Sequence, residues 1–437
     1  MISVEEALQR ILDCVEPLEA EERPIVEALG QVLAEDVVSP LDVPPIDNSA
    51  MDGYAVRAVD TIGAAPDRPV QLTVIGEVAA GYSFPGEVRE KEAVRIMTGA
   101  PIPPGADAVV PFEDTDEAFR DAPSRARRLR RGHIRIFKEV AAGANVRRAG
   151  EDIRRGEVVL RAGTVLRASE IAVLAALGRD RARVIKRPVV AIISTGDEVV
   201  RPGRSKGPTQ VYDSNAYGVA ALVRRYGGIP RVLGIARDNV SALRAKIQRA
   251  MDADLVVTSA GISRGYYDVV KEVLAEEGEI DFWTVAMKPG KPLAFGWFWR
   301  KERRVPHLGL PGNPVSALLV FELFGRPALM KMMGKKDWSR PRVRAIAEER
   351  IDTRTDDRVF LARCIVTKRD GRYYARLTGP QGSGILTSLA RANGVTFIPP
   401  QKRIVEPGEE IEVIMLDWSH GEEWGTEPGF VAQQLSA

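Results

Sequence analysis

The sequence predicts a multidomain α/β plus β architecture: a doubly wound parallel-sheet domain, mixed N-terminal lobes and a small C-terminal β-barrel. Three observations carry this. At 437 residues the chain is too long for one ordinary core. From about residue 184 near-continuous apolar strands alternate with helices, the pattern of a parallel sheet covered on both faces. After Gly334 only strand-like runs follow.

The N-terminus, MISVEEALQRILDCV, lacks a basic segment followed by an apolar run, so a helix is expected rather than a signal peptide. Ser3 and Glu6 have capping-box spacing, and Ala7, Leu8, Ile11 and Leu12 continue an apolar stripe. Residues 1–183 mix short helices with short strands broken by Pro and Gly, which reads as two interleaved lobes. We place a helical/mixed domain at 1–46 with 141–183 and an inserted β-rich domain at 47–140. The sheet domain, 184–334, contains PVVAIIST, SNAYGVAALVRRYGG, IPRVLGIA, a helix near 240–251, DLVVTSAG, strands around Phe282–Met287 and His307–Leu310, and the final helix PVSALLVFELF. The barrel, 335–417, contains VRAIAEE, RVFLARCIVTK, YYARLTG, GVTFIPP and EIEVIML, and 418–437 reads as a loose tail.

Composition excludes several classes of function. Hydrophobic residues at 45% and charged residues at 28% are ordinary globular values. The 62 basic and 60 acidic residues leave a net charge of +2, so no global field favours nucleic acid or an anionic membrane, and neither is expected as a partner. The basic run SRARRLRRGHIR has no interleaved aromatics and reads as a solvated hairpin. Cys14 and Cys364, far apart in sequence, suit a reducing cytoplasm, and three histidines make His-based catalysis or zinc ligation improbable.

Open parallel sheets bind ligands beyond the carboxyl ends of their strands, and three polar loops stand at such ends here. STGDEV presents Thr195, Asp197 and Glu198; TSAGISRGYYD presents Ser259, Gly261, Arg264 and Asp268; GLPGNPVS presents Gly312 and Asn313, with Asn313 at a helix N-cap and Pro314 at its first position. Glycines and free helix N–H groups suit a phosphate or another oxyanion. In AMKPGKP a Pro-Gly turn separates Lys288 from Lys291, so both ammonium groups can face one pocket. Carboxylates of Asp197, Glu198, Asp238 and Asp268 would repel a phosphate unless a divalent cation intervened, which implies Mg²⁺. Singly each loop is an ordinary turn or cap; their meeting at one predicted edge points to a site. Outside the sheet, DNSAMDGYA lacks any amphipathic period and reads as a turn-rich loop, RIMTGAPIPPGADAVV as two strands joined by a loop bearing Thr98, and GEDIRRGE as a turn bearing Asp152.

DNSAMDGYA, IMTGAPIPPGADAVV, NVRRAGEDIRRGE, STGDEVVRPG, VYDSN, MKPGKPLAFG, GLPGNPVSA and QGSGILTSLARANG resemble, in order, the motifs of the molybdopterin molybdenumtransferases, a family that includes the E domain of gephyrin. The resemblance runs from about residue 2 to about residue 415. It implies four domains in an elongated subunit, a sheet domain like that of the molybdopterin adenylyltransferases, and a homodimer whose active site uses both subunits. It also implies a reaction: molybdopterin-AMP accepts molybdate and AMP leaves with Mg²⁺ assistance. The family's catalytic positions fall on Asp52, Thr98, Asp152, Glu198, Asp238, Asp268 and Lys288, with Glu198 and Asp268 as metal ligands. Its molybdate positions fall on Lys288, Pro289, Ser316, Arg363 and Ser383. Molybdopterin adenylyltransferase is an implied partner.

The chain departs from the family pattern at Thr284, where many relatives carry lysine, and at Ala260, where SAGIS replaces SGGVS. A tungstate-inserting paralogue and a gephyrin-like scaffold are the competing readings. Adenylylation of molybdopterin would need the sheet domain alone, and DNSAMDGYA weighs against it.

Overall fold

A computed structural model describes residues 1–119, 132–260, 278–300, 303–353 and 357–417. Most of the basic run, the loop holding Gly261, Arg264 and Asp268, and the tail from 418 lie outside the described residues. The chain divides into two compact units, one of Met1–Arg23, Gly30–Ala34 and Arg183–Ala437, the other of Pro24–Leu29 and Glu35–Ala182.

Helix α1, Val4–Asp13, begins as its sequence predicts, with the Ser3 hydroxyl accepting the Glu6 backbone N–H at 3.0 Å. Only half of the expected capping box is seen. The Glu6 carboxylate accepts from Arg10 at 2.7 Å, a pair one turn apart, as spacing on a helix surface allows. Val4, Ala7, Ile11 and Leu12 are buried along one face.

In the second unit, strands β1 (Gly53–Val56), β2 (Val70–Val78), β3 (Glu92–Ile96), β4 (Ala108–Pro111) and β5 (His133–Ile136) form one sheet in the order β4-β1-β3-β2-β5. Only β2 and β3 run parallel. Both faces are covered: Tyr54, Leu72, Ile134 and Ile136 pack on one, and Ala55, Val78, Val94 and Val109 on the other. Gly53 is required where β1 meets β4, because a Cβ there would stand 2.0 Å from the Val110 carbonyl oxygen.

The first unit is built on a six-stranded sheet of β6 (Val189–Thr195), β7 (Ile229–Ala236), β8 (Leu255–Ala260), β9 (Gly278–Thr284), β11 (Pro292–Arg300) and β12 (Arg303–Pro311), in the order β7-β6-β8-β12-β11-β9. Alternating side chains of β6 face opposite cores. Val190 and Ile192 pack with helix α2 (Ser214–Arg225), α4 (Pro314–Val320), α5 (Arg326–Met332) and α1, whereas Ala191 and Ile193 pack with α3 (Val240–Ala250). Helices on both faces make the sheet doubly wound.

The sheet is not wholly parallel. β7, β6, β8 and β12 run parallel, but β11 is antiparallel to both β12 and β9. The sequence reading had no strand at PLAFGWFWR, since an apolar run of that length specifies burial and not direction. The expected strand over Phe282–Met287 is also split: β9 stops at Thr284, and Met287–Lys288, β10, leaves the sheet to pair with the barrel.

The barrel strands are β13 (Arg342–Ala347), β14 (Val359–Arg369), β15 (Arg372–Leu377), β16 (Gly394–Ile398) and β17 (Glu410–Met415). The order β14-β15-β13-β17-β16 closes through β14–β16 pairing, so no edge remains among these five. β10 adds to β14 in parallel, with Lys288 opposite Phe360.

Candidate active site

Four parallel strands end at one edge. In register, Thr195 stands beside Ala236, Ser194 beside Ser259, and Ser259 beside Leu310. The loops that follow carry Asp238, Asp197 with Glu198, and Gly312 with Asn313 to the same side. The chain passes from β6 through α2 to β7 and then returns through α3 to β8 on the other side of β6, which opens a crevice between β6 and β8.

Asp213 caps α2 by accepting the Ala216 backbone N–H at 3.0 Å. Two residues on, the buried Asn215 amide donates to the Ser259 hydroxyl at 2.7 Å and to the Gly312 carbonyl at 2.8 Å. It thereby ties the end of β8 to the loop after β12. At the other side of that loop, Val315 N–H donates to the Ser383 carbonyl at 3.1 Å, holding the QGSG turn of the barrel against the start of α4.

These ties frame two adjoining cavities. One, of about 350 Å³, is lined by Ser194, Thr195, Tyr212, Asn215 and Ser259. The Ser194 and Thr195 hydroxyls are buried there without a hydrogen-bond partner, which is costly unless a ligand supplies one. The other, of about 700 Å³, is lined by Lys288, Pro289, Lys291, Ser316, Arg358 and Ser383. Glu198, Gly312 and Asn313 line both. Asn313 does stand at the helix N-cap with Pro314 at the first position, yet its side chain makes no capping hydrogen bond.

Glu198 lies across Gly196, whose φ is +133°; a Cβ at that position would stand 2.6 Å from the carboxylate. Asp238 is pushed above the ordinary carboxylate range, first by partial burial and then by the charges of Glu198 and Asp197. Three acids are therefore close enough to repel one another, and among the described residues no three such side chains are grouped so as to hold a metal ion. Asp197 turns to Arg237 at 3.7 Å and is exposed.

The structure places Arg363 apart from the residues that line the larger cavity. It is fully buried inside the barrel, where it donates to the Ser388 hydroxyl at 3.2 Å and to the Gly382 and Leu361 carbonyls at 3.1 and 3.4 Å. Desolvation lowers it to about 10. It braces the QGSG turn from behind and does not line the cavity. The arginine that does is Arg358, which the sequence reading missed. Its position follows from the parallel pairing of β10 with β14, which sets the residue before Val359 beside Met287, whose carbonyl accepts from Arg358 at 3.5 Å.

Asp52, Thr98 and Asp152 belong to the second unit. One carboxylate oxygen of Asp52 accepts the Thr98 backbone N–H at 2.7 Å and its hydroxyl at 2.8 Å, which holds Asp52 below the usual carboxylate range. The two motifs meet because β1 and β3 pair directly, Gly53 opposite Ile96. DNSAMDGYA is less loop-like than expected, since Asn48–Ser49 pairs with Val146–Arg147 and Gly53 opens β1. Asp152 is exposed in a turn, with its backbone N–H on the Val43 carbonyl at 3.0 Å.

The sequence matches three family descriptions in succession: "MoeA N-terminal region (domain I and II)" over residues 2–178, "Probable molybdopterin binding domain" over 191–331, and "MoeA C-terminal region (domain IV)" over 345–416. Molybdopterin molybdenumtransferase 2 of Mycobacterium tuberculosis is 38% identical over 397 residues, covering 89% of this chain and 93% of the relative. The chain belongs to the molybdopterin molybdenumtransferase family. A second member, from Haemophilus influenzae, is 34% identical over 417 residues, 94% of this chain and 98% of its own. Among solved structures, a molybdopterin biosynthesis MoeA protein from Pyrococcus horikoshii OT3 aligns with a TM-score of 0.75 at 32% identity, covering 95% of this chain and 100% of that one. Members of the molybdopterin molybdenumtransferase family are transferases of molybdenum-cofactor biosynthesis, and this chain is a transferase of that kind. Among the described residues no helix is long and apolar enough to cross a membrane.

Proposed function

We propose that this transferase inserts molybdate into adenylylated molybdopterin: the phosphoanhydride is cleaved, AMP leaves, and molybdenum cofactor is formed. The observation that supports it most is the pairing of unlike cavities across a shared wall. The smaller offers the partnerless Ser194 and Thr195 hydroxyls, which suit an uncharged, hydrogen-bonding part of a substrate. The larger gathers Lys288, Lys291 and Arg358 with the Ser316 and Ser383 hydroxyls, which suit an oxyanion. Glu198 and Asp268 would hold Mg²⁺, which when bound neutralises phosphate charge. Gly312 supplies backbone that a substrate oxygen can approach, and Lys288 beside Ser316 attracts the molybdate dianion.

This reading takes the chain as four domains, 1–46 with 141–183, 47–140, 184–334 and 335–417. It also takes a cytoplasmic homodimer whose active site draws on both subunits, with Asp52, Thr98 and Asp152 part of it, and a molybdopterin adenylyltransferase as supplier of substrate. Purified protein supplied with molybdopterin-AMP, Mg²⁺ and molybdate should release AMP and yield cofactor that reconstitutes an apo-molybdoenzyme. Binding of molybdopterin-AMP with no molybdate-dependent AMP release would overturn the reading.

A further inference from the structure

A third cavity, of about 450 Å³, lies in the first unit away from both cavities of the candidate active site. Leu8 of α1, Leu319 and Leu323 of the helical stretch around α4, and Leu361, Val395 and Phe397 of the barrel give it an apolar wall. Glu322 sits in a single π-type turn, Phe321–Gly325, and its buried carboxylate binds the Tyr226 hydroxyl at 2.6 Å and Arg340. Beside it Arg326 is only 7% exposed and donates to the Trp338 and Ser339 carbonyls, while its Nε is buried with no partner. Exposed Lys336 and Arg342 stand at the rim. Arg342 pairs with Glu412 at 2.6 Å and Arg340 with Glu322, so Arg326, Lys336, Arg340 and Arg342 stand against Glu322, Asp337 and Glu412, a small basic excess around this pocket.

Leu416, the last apolar residue of the barrel run, lines the same pocket, and Asp417 is fastened there by Arg225 at 3.3 Å. The next twenty residues, 418–437, therefore start at its mouth. Their composition departs from the rest of the chain: no Lys or Arg among the 62 in the protein, three acids in Glu422, Glu423 and Glu427, and two of its six tryptophans, Trp418 and Trp424, together with Phe430. Segments that serve only as solvated tails are poor in aromatics, whereas an apolar pocket with a basic rim selects an acidic, aromatic strip. Attachment at Leu416 also gives this strip a high effective concentration at the pocket.

We infer that Trp418–Ala437 is the occupant of this pocket within its own chain, with aromatic residues against the Leu323 and Phe397 wall and Glu422 and Glu423 facing the Lys336 side. A second copy of the chain and a foreign acidic peptide are the rival occupants. The test is hydrogen exchange of the full-length protein read by mass spectrometry, with a synthetic 418–437 peptide as the unprotected reference. The tail amides should exchange at least about tenfold more slowly than the peptide, at a rate independent of protein concentration. Trp424→Ala, and separately Glu422→Lys with Glu423→Lys, should abolish the protection without changing exchange in the sheet. Lys336→Glu should weaken it, and combining Lys336→Glu with Glu422→Lys and Glu423→Lys should restore it. Exchange of the tail at the peptide rate overturns the inference. Protection that grows with protein concentration overturns it in favour of a second copy, and protection indifferent to Lys336→Glu places the tail elsewhere.

Discussion

Arg358 and Arg363 lie five positions apart on one barrel segment and do opposite things: Arg358 lines the cationic cavity with Lys288, and Arg363 is buried behind it, donating to Ser388, Gly382 and Leu361. Replacing each with alanine should separate the roles. Arg358→Ala should raise the molybdate concentration needed for half-maximal AMP release by roughly tenfold to a hundredfold, the loss of about 1.5–3 kcal/mol from one charge-assisted hydrogen bond, with an unchanged melting temperature. Arg363→Ala should cost about 3 kcal/mol of stability by leaving a cavity and partnerless carbonyls. Equal melting temperatures for the two variants would refute the assignment.

Lys288→Ala should likewise shift the molybdate titration by about tenfold or more while leaving molybdopterin-AMP binding nearly intact. Its ammonium stands 5.9 Å from the Phe360 ring at the end of β10, so a purely structural role would appear as lost stability with superimposable molybdate curves.

Gly196→Ala tests the placement of Glu198. With φ at +133° and a Cβ 2.6 Å from Glu198 Oε2, alanine must displace the carboxylate or twist the loop. AMP release should fall by about tenfold or more, with the Mg²⁺ requirement moved to higher concentration, while far-ultraviolet circular dichroism stays unchanged. Wild-type Mg²⁺ dependence in this variant would show that Glu198 is not a ligand.

His307 should make the sheet acid-sensitive. Complete burial lowers it from 6.5 to about 3, with Nε2 or its proton shared with Thr258 Oγ1 at 2.9 Å. The unfolded chain then binds more protons than the folded one below pH 6.5, so the stabilisation from neutral His307 is fully present above pH 6.5 and is lost as pH falls toward 3. Melting temperature should drop across that window and drop less steeply in His307→Gln. Parallel slopes would exclude His307 as the cause.

Asp52 contributes in the same direction at lower pH. Its depressed value means its bonds to Thr98 help the fold above the usual carboxylate range and are lost as pH falls through the folded value. Both residues are exposed, so Asp52→Asn should change stability by about 1 kcal/mol or less. Under the proposed function it should still depress AMP release by about tenfold or more. A variant as active as wild type would remove Asp52 from the site.

Local sequence was enough to determine β6, β8 and the strands of the barrel, because an apolar run bounded by turn residues must be buried wherever the chain ends up. It also determined that acidic, glycine-rich and lysine-bearing loops follow those strands, and that the loops after β6 and β12 share an edge follows from parallel pairing alone. Tertiary structure decided the rest. The reversed direction of β11, the departure of β10 to the barrel and the placement of Arg358 at the larger cavity depend on which strand a run finds as its neighbour. The Asn215 clasp on Ser259 and Gly312 joins residues up to 97 positions apart. Hydrogen bonds of that reach carry no local signature, since the spacing of residues along a chain encodes a helix or a strand but not the partner across a fold.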